Sequence, residues 1–332
     1  MKSKLIKIVS IVALVGITSL SLISCNKKTV DKNKELTKVR LNEVVRSVFY
    51  APMYVAINEG FFKEEGIEID LSTGQGADKT MQQVLSKNAD IGFAGPEQVI
   101  YINNQGREDY PVIFAQLTQT DGAFLVGREA KENFKWTDLK GAEIIGGRPG
   151  GVPEMAFEYA LKLNGLDAKT DVKMVTNIDF TATSGAFKAG TGEYVTLFEP
   201  TALEIEQQGY GYVVASIGEL GGIVPYTSYS AKISFIEKNP ELIENFTKAI
   251  QKGLDFVHEN DSKTIAKAIL SFFPDTSLND LTDVVERYKS QDTWPKTTNF
   301  TKDSFDHLQK IMMASGAIDT TVDYNSLIYT KD

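Results

Sequence analysis

Short apolar runs alternate with amphipathic stretches along most of the chain. Runs rich in Val, Ile, Leu and Phe predict strands, and apolar residues at helical spacing predict the helices between them. The predicted strands are 41–49, 67–71, 91–93, 112–115, 124–126, 143–145, 172–175, 194–197 and 212–214. The predicted helices among them are 53–58, 80–86, 98–103 and 152–163. This alternation predicts an α/β fold with mostly parallel, mixed sheets flanked by helices.

The last third of the chain has a helical pattern. It starts at Asn239 and Pro240, residue types that are favourable just before a helix and at its first position. Apolar residues then recur at helical spacing over 242–257, which predicts one buried face of a long helix. The segments 263–272 and 304–314 continue in the same style. We therefore expect a helix-rich end to the protein.

The strand and helix pattern runs through twice before the helical end, which suggests two lobes. No Pro-rich or low-complexity linker separates the two runs, so we expect the chain to pass between the lobes on short crossover segments. The expected crossovers lie near 118–124 and 217–226, where glycine and polar residues suit a hinge.

The amino terminus has the layout of a secretory signal. Three lysines precede an uncharged apolar stretch, 8–23, which is shorter than the roughly 20 apolar residues of a spanning helix. The tetrapeptide 22–25 resembles a bacterial lipobox, in which the signal is cut before a cysteine that then carries a lipid. We therefore expect a signal peptide at 1–24, a lipid on Cys25, and a flexible tether at 25–40. This arrangement predicts an extracytoplasmic protein anchored to the cell membrane.

Composition and charge disfavour several classes of function. The 332 residues include 35 basic and 44 acidic side chains, for a formal charge of -9, and loss of the three signal lysines would make it -12. A negative chain is a poor partner for nucleic acid. One cysteine and two histidines, His258 and His307, disfavour zinc or histidine chemistry. We expect no nucleic-acid partner, no metal, no cofactor and no catalytic residues.

A series of motifs then points to a family. The segment YAPMYVAINEGFF at 50–62 is followed by related motifs at 65–69, 89–93, 197–200 and 235–242. Together with the lipobox, they resemble the extracytoplasmic solute-binding proteins of ABC importers. Within that class they resemble the group that takes sulfonates, nitrate, taurine and thiamine-pyrimidine precursors. The resemblance covers about residues 41–315.

The resemblance implies the type II fold of periplasmic binding proteins, with a cleft between two lobes joined by two strand crossovers. Lobe one would comprise 38–121 plus 226–332, and lobe two 122–225. The implied protein is a monomer that captures a small solute and presents it to a membrane permease and its ATPase. No chemical step is implied.

The candidate ligand site follows from the sheet architecture. In open α/β sheets, ligands lie beyond the carboxyl ends of the strands, next to the first residues of the following helices. Glycines there allow close approach, and aromatic rings allow stacking. The candidate ligand-binding residues are Ser47, Tyr50, Gly76, Gly95, Glu97, Gly150, Gly151, Glu154, Asn177, Phe180, Glu199 and Tyr226.

The carboxylates Glu97, Glu154 and Glu199 open predicted helices, so each either caps its helix or faces the ligand. Carboxylates in the cleft would repel a bare oxyanion and suit an amino group, whereas Arg46 and Arg148 would act the other way. Two ligand classes stay open: sulfonate-, nitrate- or taurine-like anions, and aminopyrimidine- or thiamine-precursor-like compounds. We predict that Glu154→Gln weakens binding of an amine-bearing ligand more than tenfold; unchanged affinity would make Glu154 a helix cap only.

Two other functions remain open. A thiamine-pyrimidine synthase shares the resemblance, but that enzyme would need a histidine in the cleft, and neither His258 nor His307 lies in a predicted cleft loop. An extracellular ligand-sensing module would bind a solute without a permease partner.

Overall fold

Two five-stranded sheets organise the part of the chain that the computed structural model describes, residues 35–330. The predicted signal peptide, Cys25 and most of the predicted tether lie outside the described residues. From edge to edge, the first sheet contains β2 (Ile67–Thr73), β1 (Thr37–Glu43), β3 (Ile91–Ala94), β10 (Thr227–Lys232) and β4 (Pro111–Thr118). The second contains β7 (Lys173–Val175), β6 (Glu143–Ile145), β8 (Tyr194–Phe198), β5 (Ala123–Gly127) and β9 (Tyr212–Ser216).

The two sheets share one topology. In each, three neighbouring parallel strands are followed by one antiparallel strand and then by an edge strand. The antiparallel strands are β10 in the first sheet and β5 in the second. Since β5 follows β4 and β10 follows β9 along the chain, the antiparallel strand of each sheet arrives from the other sheet. The chain therefore crosses at 119–122 and returns at 217–226.

Helices connect the strands and make up most of the last third of the described chain. Their bounds are α1 (Ala51–Asn58), α2 (Phe61–Glu64), α3 (Ala77–Leu85), α4 (Glu97–Asn103), α5 (Val152–Leu163), α6 (Thr183–Lys188), α7 (Thr201–Gln207), α8 (Gly218–Gly221), α9 (Ile233–Lys238), α10 (Pro240–Glu259), α11 (Ser262–Ile269), α12 (Leu278–Ser290), α13 (Lys302–Ser315) and α14 (Tyr324–Leu327). Short 3₁₀ turns lie at Val48–Tyr50, Trp136–Leu139, Phe180–Ala182 and Leu270–Phe272.

Helix α10 is the long helix expected from the sequence, and its buried residues repeat at helical spacing. Gly253 lies on that face, next to α1. A Cβ at this position would lie 2.2 Å from the Pro52 carbonyl oxygen, so the glycine allows α10 to approach α1 closely. Asn239 is the N-cap residue of α10 and Pro240 is its first residue, as expected from the sequence. The Asn239 side chain makes no capping hydrogen bond to α10, and its Nδ2 donates to the Phe235 carbonyl oxygen at 2.8 Å.

The first strand differs from its prediction at both ends. It begins at Thr37, inside the predicted tether 25–40, because Val39 alternates with exposed Lys38 and Arg40 and pairs with β2. It ends at Glu43 rather than at residue 49. The chain then turns, and the Ser47 Oγ accepts a hydrogen bond from the Phe49 N–H at 3.2 Å, which stabilises the 3₁₀ turn that follows.

The elements that were not predicted from the sequence include β10, α12 and the short helices α2, α8, α9 and α14. Strand β10 reads TSYSAK and lacks the aliphatic residues of a typical buried strand, although five of its six residues are buried between β3 and β4. Helix α12 has a polar composition and buries Leu281, Val284, Val285 and Tyr288 along one face. Small polar residues can therefore fill a central strand when neighbouring strands satisfy its backbone.

Aromatic packing holds the first sheet against the carboxyl-terminal helices. The Tyr229 ring on β10 stacks on Phe93 of β3 at 4.4 Å and meets Phe246 of α10 at 5.1 Å between centroids. A second group of buried apolar residues, including Leu125, Ile144 and Phe157, packs on the second sheet. Within residues 35–330, no helix has both the length and the apolar character needed to cross a bilayer.

Candidate functional site

A cavity of about 250 Å³ lies where strands of both sheets end. The first sheet lines it with residues that follow β1, β2 and β3, and the second with residues that follow β6 and β7 and with the end of β8. Eight candidate residues line this cavity: Tyr50, Gly76, Gly95, Glu97, Gly151, Asn177, Phe180 and Tyr226. Four candidates do not: Ser47, Gly150, Glu154 and Glu199. Hereafter this space is called the cleft cavity.

Glu97 is the most deeply buried carboxylate of the cleft cavity. It opens α4, and the whole residue is 1 % exposed. Its Oε1 accepts a hydrogen bond from the Gln98 side-chain amide at 3.0 Å, but its Oε2 has no hydrogen-bond partner among the described residues. Burial raises the pKa of the Glu97 carboxyl above its usual range, although the Gln98 amide and the Arg148 charge favour the ionised form. A buried acceptor is thus left open beside the cavity.

Gly95 makes room for that carboxylate. A Cβ at this position would lie 2.0 Å from the Glu97 Oε2, which is far inside any normal contact distance. The side chain of Glu97 therefore lies back over the end of β3, where both residues line the cleft cavity. This is a specific structural reason for a glycine here, beyond the general use of glycine in turns.

Aromatic rings form one wall of the cleft cavity. Phe198 lies between Phe180 and Tyr226, with centroid distances of 5.9 and 6.2 Å. Tyr50 also lines the cavity, where it packs against Phe49 and lies edge-on to Phe93 at 4.5 Å between centroids. The rings give the cavity an apolar surface of the kind on which a planar or aliphatic solute packs well.

Both signs of charge occur around the cavity. Among the described residues, the lining contains three carboxylates, Asp78, Glu97 and Asp179, and two cations, Lys79 and Arg148. Arg148 lies in the loop before α5 and pairs with Asp78, at the start of α3, over 3.4 Å. This pair joins a loop of the second sheet to a helix of the first, and it leaves Arg148 38 % exposed at the side of the cavity.

Two of the predicted cleft carboxylates are occupied with other partners. The Glu199 Oε1 pairs with Arg287 at 2.6 Å, and its Oε2 accepts from the Leu203 N–H at 2.9 Å. The Glu154 Oε2 accepts a hydrogen bond from the Gly150 N–H at 2.6 Å and so stabilises the loop that opens α5. Each therefore caps backbone at a helix opening.

The remaining two candidates connect the sheets. The Ser47 Oγ donates to the Glu199 carbonyl oxygen at 2.6 Å, beside a separate cavity of about 210 Å³ that Ser47 and Glu199 both line. The Gly150 carbonyl oxygen accepts from the Tyr101 hydroxyl at 2.9 Å, and the positive φ of Gly150 suits a glycine. Both contacts link a loop of one sheet to an element of the other.

Sequence reasoning missed a buried carboxylate next to the cleft cavity. Glu43, at the end of β1, is fully buried and accepts from the Tyr54 hydroxyl at 2.6 Å and the Thr73 hydroxyl at 3.1 Å. Desolvation raises its pKa to about 7, against the opposing charge of Arg46 at 3.0 Å. Arg46 stacks near the rings of Tyr54 and Phe272, so it belongs to this network and does not line the cavity.

The two crossovers hold another buried carboxyl. Asp121 lies in the first crossover, and its Oδ1 accepts from the Ala123 N–H at 2.7 Å. The Tyr226 hydroxyl, in the second crossover, lies close to the Asp121 carboxyl and favours its ionised form. Desolvation raises the pKa of Asp121 to about 7. No signal in the sequence distinguishes it from an exposed turn residue.

No group of three or more His, Cys, Asp or Glu residues within the described range could hold a metal ion. The two histidines lie away from the cleft cavity. His258 contacts the Pro295 carbonyl oxygen through its Nε2, and His307 contacts the Ile223 carbonyl oxygen through its Nδ1. The arrangement of the cavity suits reversible binding through an open carboxylate, cationic side chains and aromatic rings.

Comparison with known proteins identifies the family. The model of the family described as NMT1/THI5-like matches residues 48–264. The Bacillus subtilis protein YtlA, a candidate binding protein by its name, is 45% identical over 297 residues, which cover 90% of this chain and 89% of YtlA. A 4-amino-5-hydroxymethyl-2-methylpyrimidine phosphate synthase of Aspergillus parasiticus is 26% identical over 222 residues, with 63% of each chain covered.

Solved structures show the same fold. The alkanesulfonate-binding protein SsuA of Xanthomonas axonopodis, bound to MOPS, superimposes with a TM-score of 0.71 at 14% identity, covering 89% of this chain and 99% of its own. These matches confirm the family resemblance and the α/β fold expected from the sequence. The chain belongs to the NMT1/THI5-like family and has the fold of the periplasmic solute-binding proteins.

Proposed function

We propose that the protein is a solute-binding protein that holds one small organic molecule in the cleft cavity. The observation that carries the proposal is that loops of both sheets line one cavity at their strand ends. A volume of about 250 Å³ is near the lower end of the range for small-molecule sites. The two sheets, as two lobes with the boundaries expected from the sequence, would close on the solute through the crossovers.

The proposal includes a role in import. The protein would be an extracytoplasmic lipoprotein, attached through Cys25, that acts as a monomer and delivers its solute to an ABC permease and ATPase. The signal and lipobox motifs support the anchor, and the family supports the transport role. Mass spectrometry of the membrane-extracted chain tests the anchor. For the wild-type chain, we expect cleavage before Cys25 and a lipid on Cys25. For Cys25→Ser, we expect a chain that carries no lipid and retains residues 1–24.

Binding without chemistry is the form of the proposal that the site supports. The competing synthase reading needs a histidine near the bound molecule, whereas His258 and His307 each contact a backbone carbonyl outside the cleft cavity. A sensing module without a permease stays the second alternative. Stable recovery of an unmodified solute after release would favour binding over catalysis.

A thermal-shift screen of the full-length protein tests the proposal. One arm contains sulfonates, nitrate and taurine, and the other contains aminopyrimidines, thiamine and related nitrogen heterocycles. A solute at 100 times its dissociation constant adds about 2.7 kcal/mol to the free energy of unfolding, which gives a visible rise in the melting temperature. Absence of stabilisation by every compound in both arms at 10 mM would contradict the proposed function.

A further inference from the structure

Three carboxylates open helices near the strand ends, and Glu97 is the one of the three with a buried oxygen that has no hydrogen-bond partner among the described residues. Both oxygens of Glu199 are occupied by Arg287 and the Leu203 N–H, and one oxygen of Glu154 accepts from the Gly150 N–H. In Glu97, one oxygen takes the Gln98 amide and the other has no partner within the described chain. Glu97 is also the one of the three that lines the cleft cavity.

An open acceptor at this depth is costly to the empty protein. A buried polar group without its hydrogen bond loses the solvation it had in water, and the cost is greater for a carboxylate than for a neutral group. The backbone N–H groups of Glu97 itself and of Val152 lie near enough to favour the ionised form of the carboxyl, but among the described residues Oε2 has no hydrogen-bond partner. A molecule that enters the cavity with an N–H group therefore gains a charge-assisted hydrogen bond.

The charges around the cavity favour the same kind of group. Arg148 already has a carboxylate partner in Asp78, and among the described lining residues three carboxylates outnumber two cations. A bare oxyanion placed beside the Glu97 carboxylate would meet repulsion in a poorly solvated space. A nitrogen donor on a planar or apolar frame meets attraction from the carboxylate and packing from Phe180, Phe198 and Tyr226.

We propose that the cleft cavity selects solutes that carry a nitrogen donor, an amine, amidine or amino-heterocycle, whose N–H donates a hydrogen bond to the Glu97 Oε2. Glu97 is then the residue that determines the solute class. This inference rests on the proposed function, because it concerns the same cavity. It differs from the sequence-based expectation, which treated Glu97, Glu154 and Glu199 as equivalent.

Calorimetric titration with paired probes tests the inference. The pairs share a frame and differ in the polar group: benzamidine against benzoate, benzylamine against benzenesulfonate, and 4-aminopyrimidine against pyrimidine. We expect the nitrogen member of at least one pair to bind the full-length protein at least tenfold more tightly than its counterpart. Glu97→Gln weakens that binding at least tenfold, and Glu97→Asp, which keeps the charge but shortens the side chain, weakens it less.

Glu154→Gln is the matched control, because the Glu154 carboxylate accepts a hydrogen bond from the Gly150 N–H in its own loop. We therefore expect a change of less than threefold, in place of the tenfold loss expected from the sequence. The melting temperature of each variant without a probe shows that it is folded. If Glu97→Gln does not fold, the inference is tested by the wild-type protein alone: tighter binding of the nitrogen member of a pair supports it, and equal or weaker binding of the nitrogen member in every pair overturns it.

The outcomes separate the inference from the proposed function. Binding of benzoate, benzenesulfonate or nitrate with no nitrogen probe bound at 10 mM overturns the inference and leaves the proposed function standing. Equal affinity of the wild type and Glu97→Gln for a nitrogen probe also overturns it. Failure of every probe, together with the full thermal-shift panel, contradicts both.

Discussion

The loops after β3 and β8 occupy equivalent places in the two sheets but treat a buried glutamate differently. Each loop follows the strand that pairs with the antiparallel strand, and each contains a glutamate next to a proline. Glu97 and Glu199 are both 1 % exposed. The loop after β8 has Arg287 of α12 as a cation partner, whereas the loop after β3 keeps one carboxylate oxygen open at the cleft cavity.

This contrast separates stability from recognition. At Glu199, the Arg287 guanidinium and the Leu203 N–H compensate the charge, and the carboxylate holds α7 and α12 together. At Glu97, one oxygen of the buried carboxylate has no hydrogen-bond partner among the described residues, and we propose that a bound solute supplies the missing donor. The same residue type at an equivalent position thus serves packing in one sheet and, by our proposal, binding in the other.

Of the substitutions proposed, Arg287→Ala is expected to lower the free energy of unfolding most. It leaves Glu199, whose side chain is inaccessible, without its cation, and it also removes the partner of Glu206 at 2.9 Å. We expect the free energy of unfolding to fall by about 4 kcal/mol in urea denaturation, because an unpaired buried charge remains. Lys302→Ala, which removes an exposed pair with Asp306, serves as the control and should change little. A midpoint for Arg287→Ala equal to that of the control would contradict this account.

Asp121→Asn tests how much the burial of an ionisable carboxyl costs the folded protein. The pKa of Asp121 is raised to about 7 by burial, so the folded state holds its proton more tightly than the unfolded state. Its contribution is fully present below about pH 4 and is lost as the pH rises through 7. We therefore expect Asp121→Asn to gain about 4 kcal/mol over the wild type at pH 8 and little at pH 4.

Urea denaturation at both pH values measures the Asp121→Asn effect. The wild-type and variant curves should converge at low pH, since the neutral carboxyl and the amide have similar shapes. A constant difference between them at pH 4 and pH 8 would show that the ionisation of Asp121 plays no part.

Gly95→Ala is expected to have a smaller effect on stability and to act on the site. The new Cβ would approach the Glu97 Oε2 to 2.0 Å, so the carboxylate has to move. We expect a loss of about 1 kcal/mol in stability and at least tenfold weaker binding of the best nitrogen probe. Gly185→Ala, in α6, meets no atom within 4 Å and should leave binding unchanged. Unchanged binding by Gly95→Ala would show that the position of Glu97 is unimportant.

The sequence predicted the fold best where local patterns decide it. Helix α5 has the predicted bounds, and β6 does too, because apolar periodicity and a proline in the first helical turn act over a few residues. Strand β10 was not predicted because Thr227, Ser228 and Ser230 are polar residues that become buried only through pairing with strands far away in the chain. Its assignment needs the knowledge that the chain returns to the first sheet.

The candidate site shows the same division. Periodicity located the loops after the strands, and with them Glu97 and Glu199, but it could not rank the two glutamates. Their difference depends on Arg287, which lies 88 residues after Glu199 and pairs with it through tertiary packing. Asp121 and Glu43 were not identified from the sequence because burial raises the pKa of each, and burial depends on tertiary packing rather than on residue type.

The most direct test of the account is a crystal structure of the protein with the tightest-binding solute from the screen, measured at Glu97. We expect the solute to occupy the cleft cavity, with a solute nitrogen about 2.7–3.0 Å from the Glu97 Oε2. A solute bound in the cavity with that oxygen still unpartnered would contradict the selection of nitrogen donors. A solute bound elsewhere on the protein would contradict the assignment of the site itself.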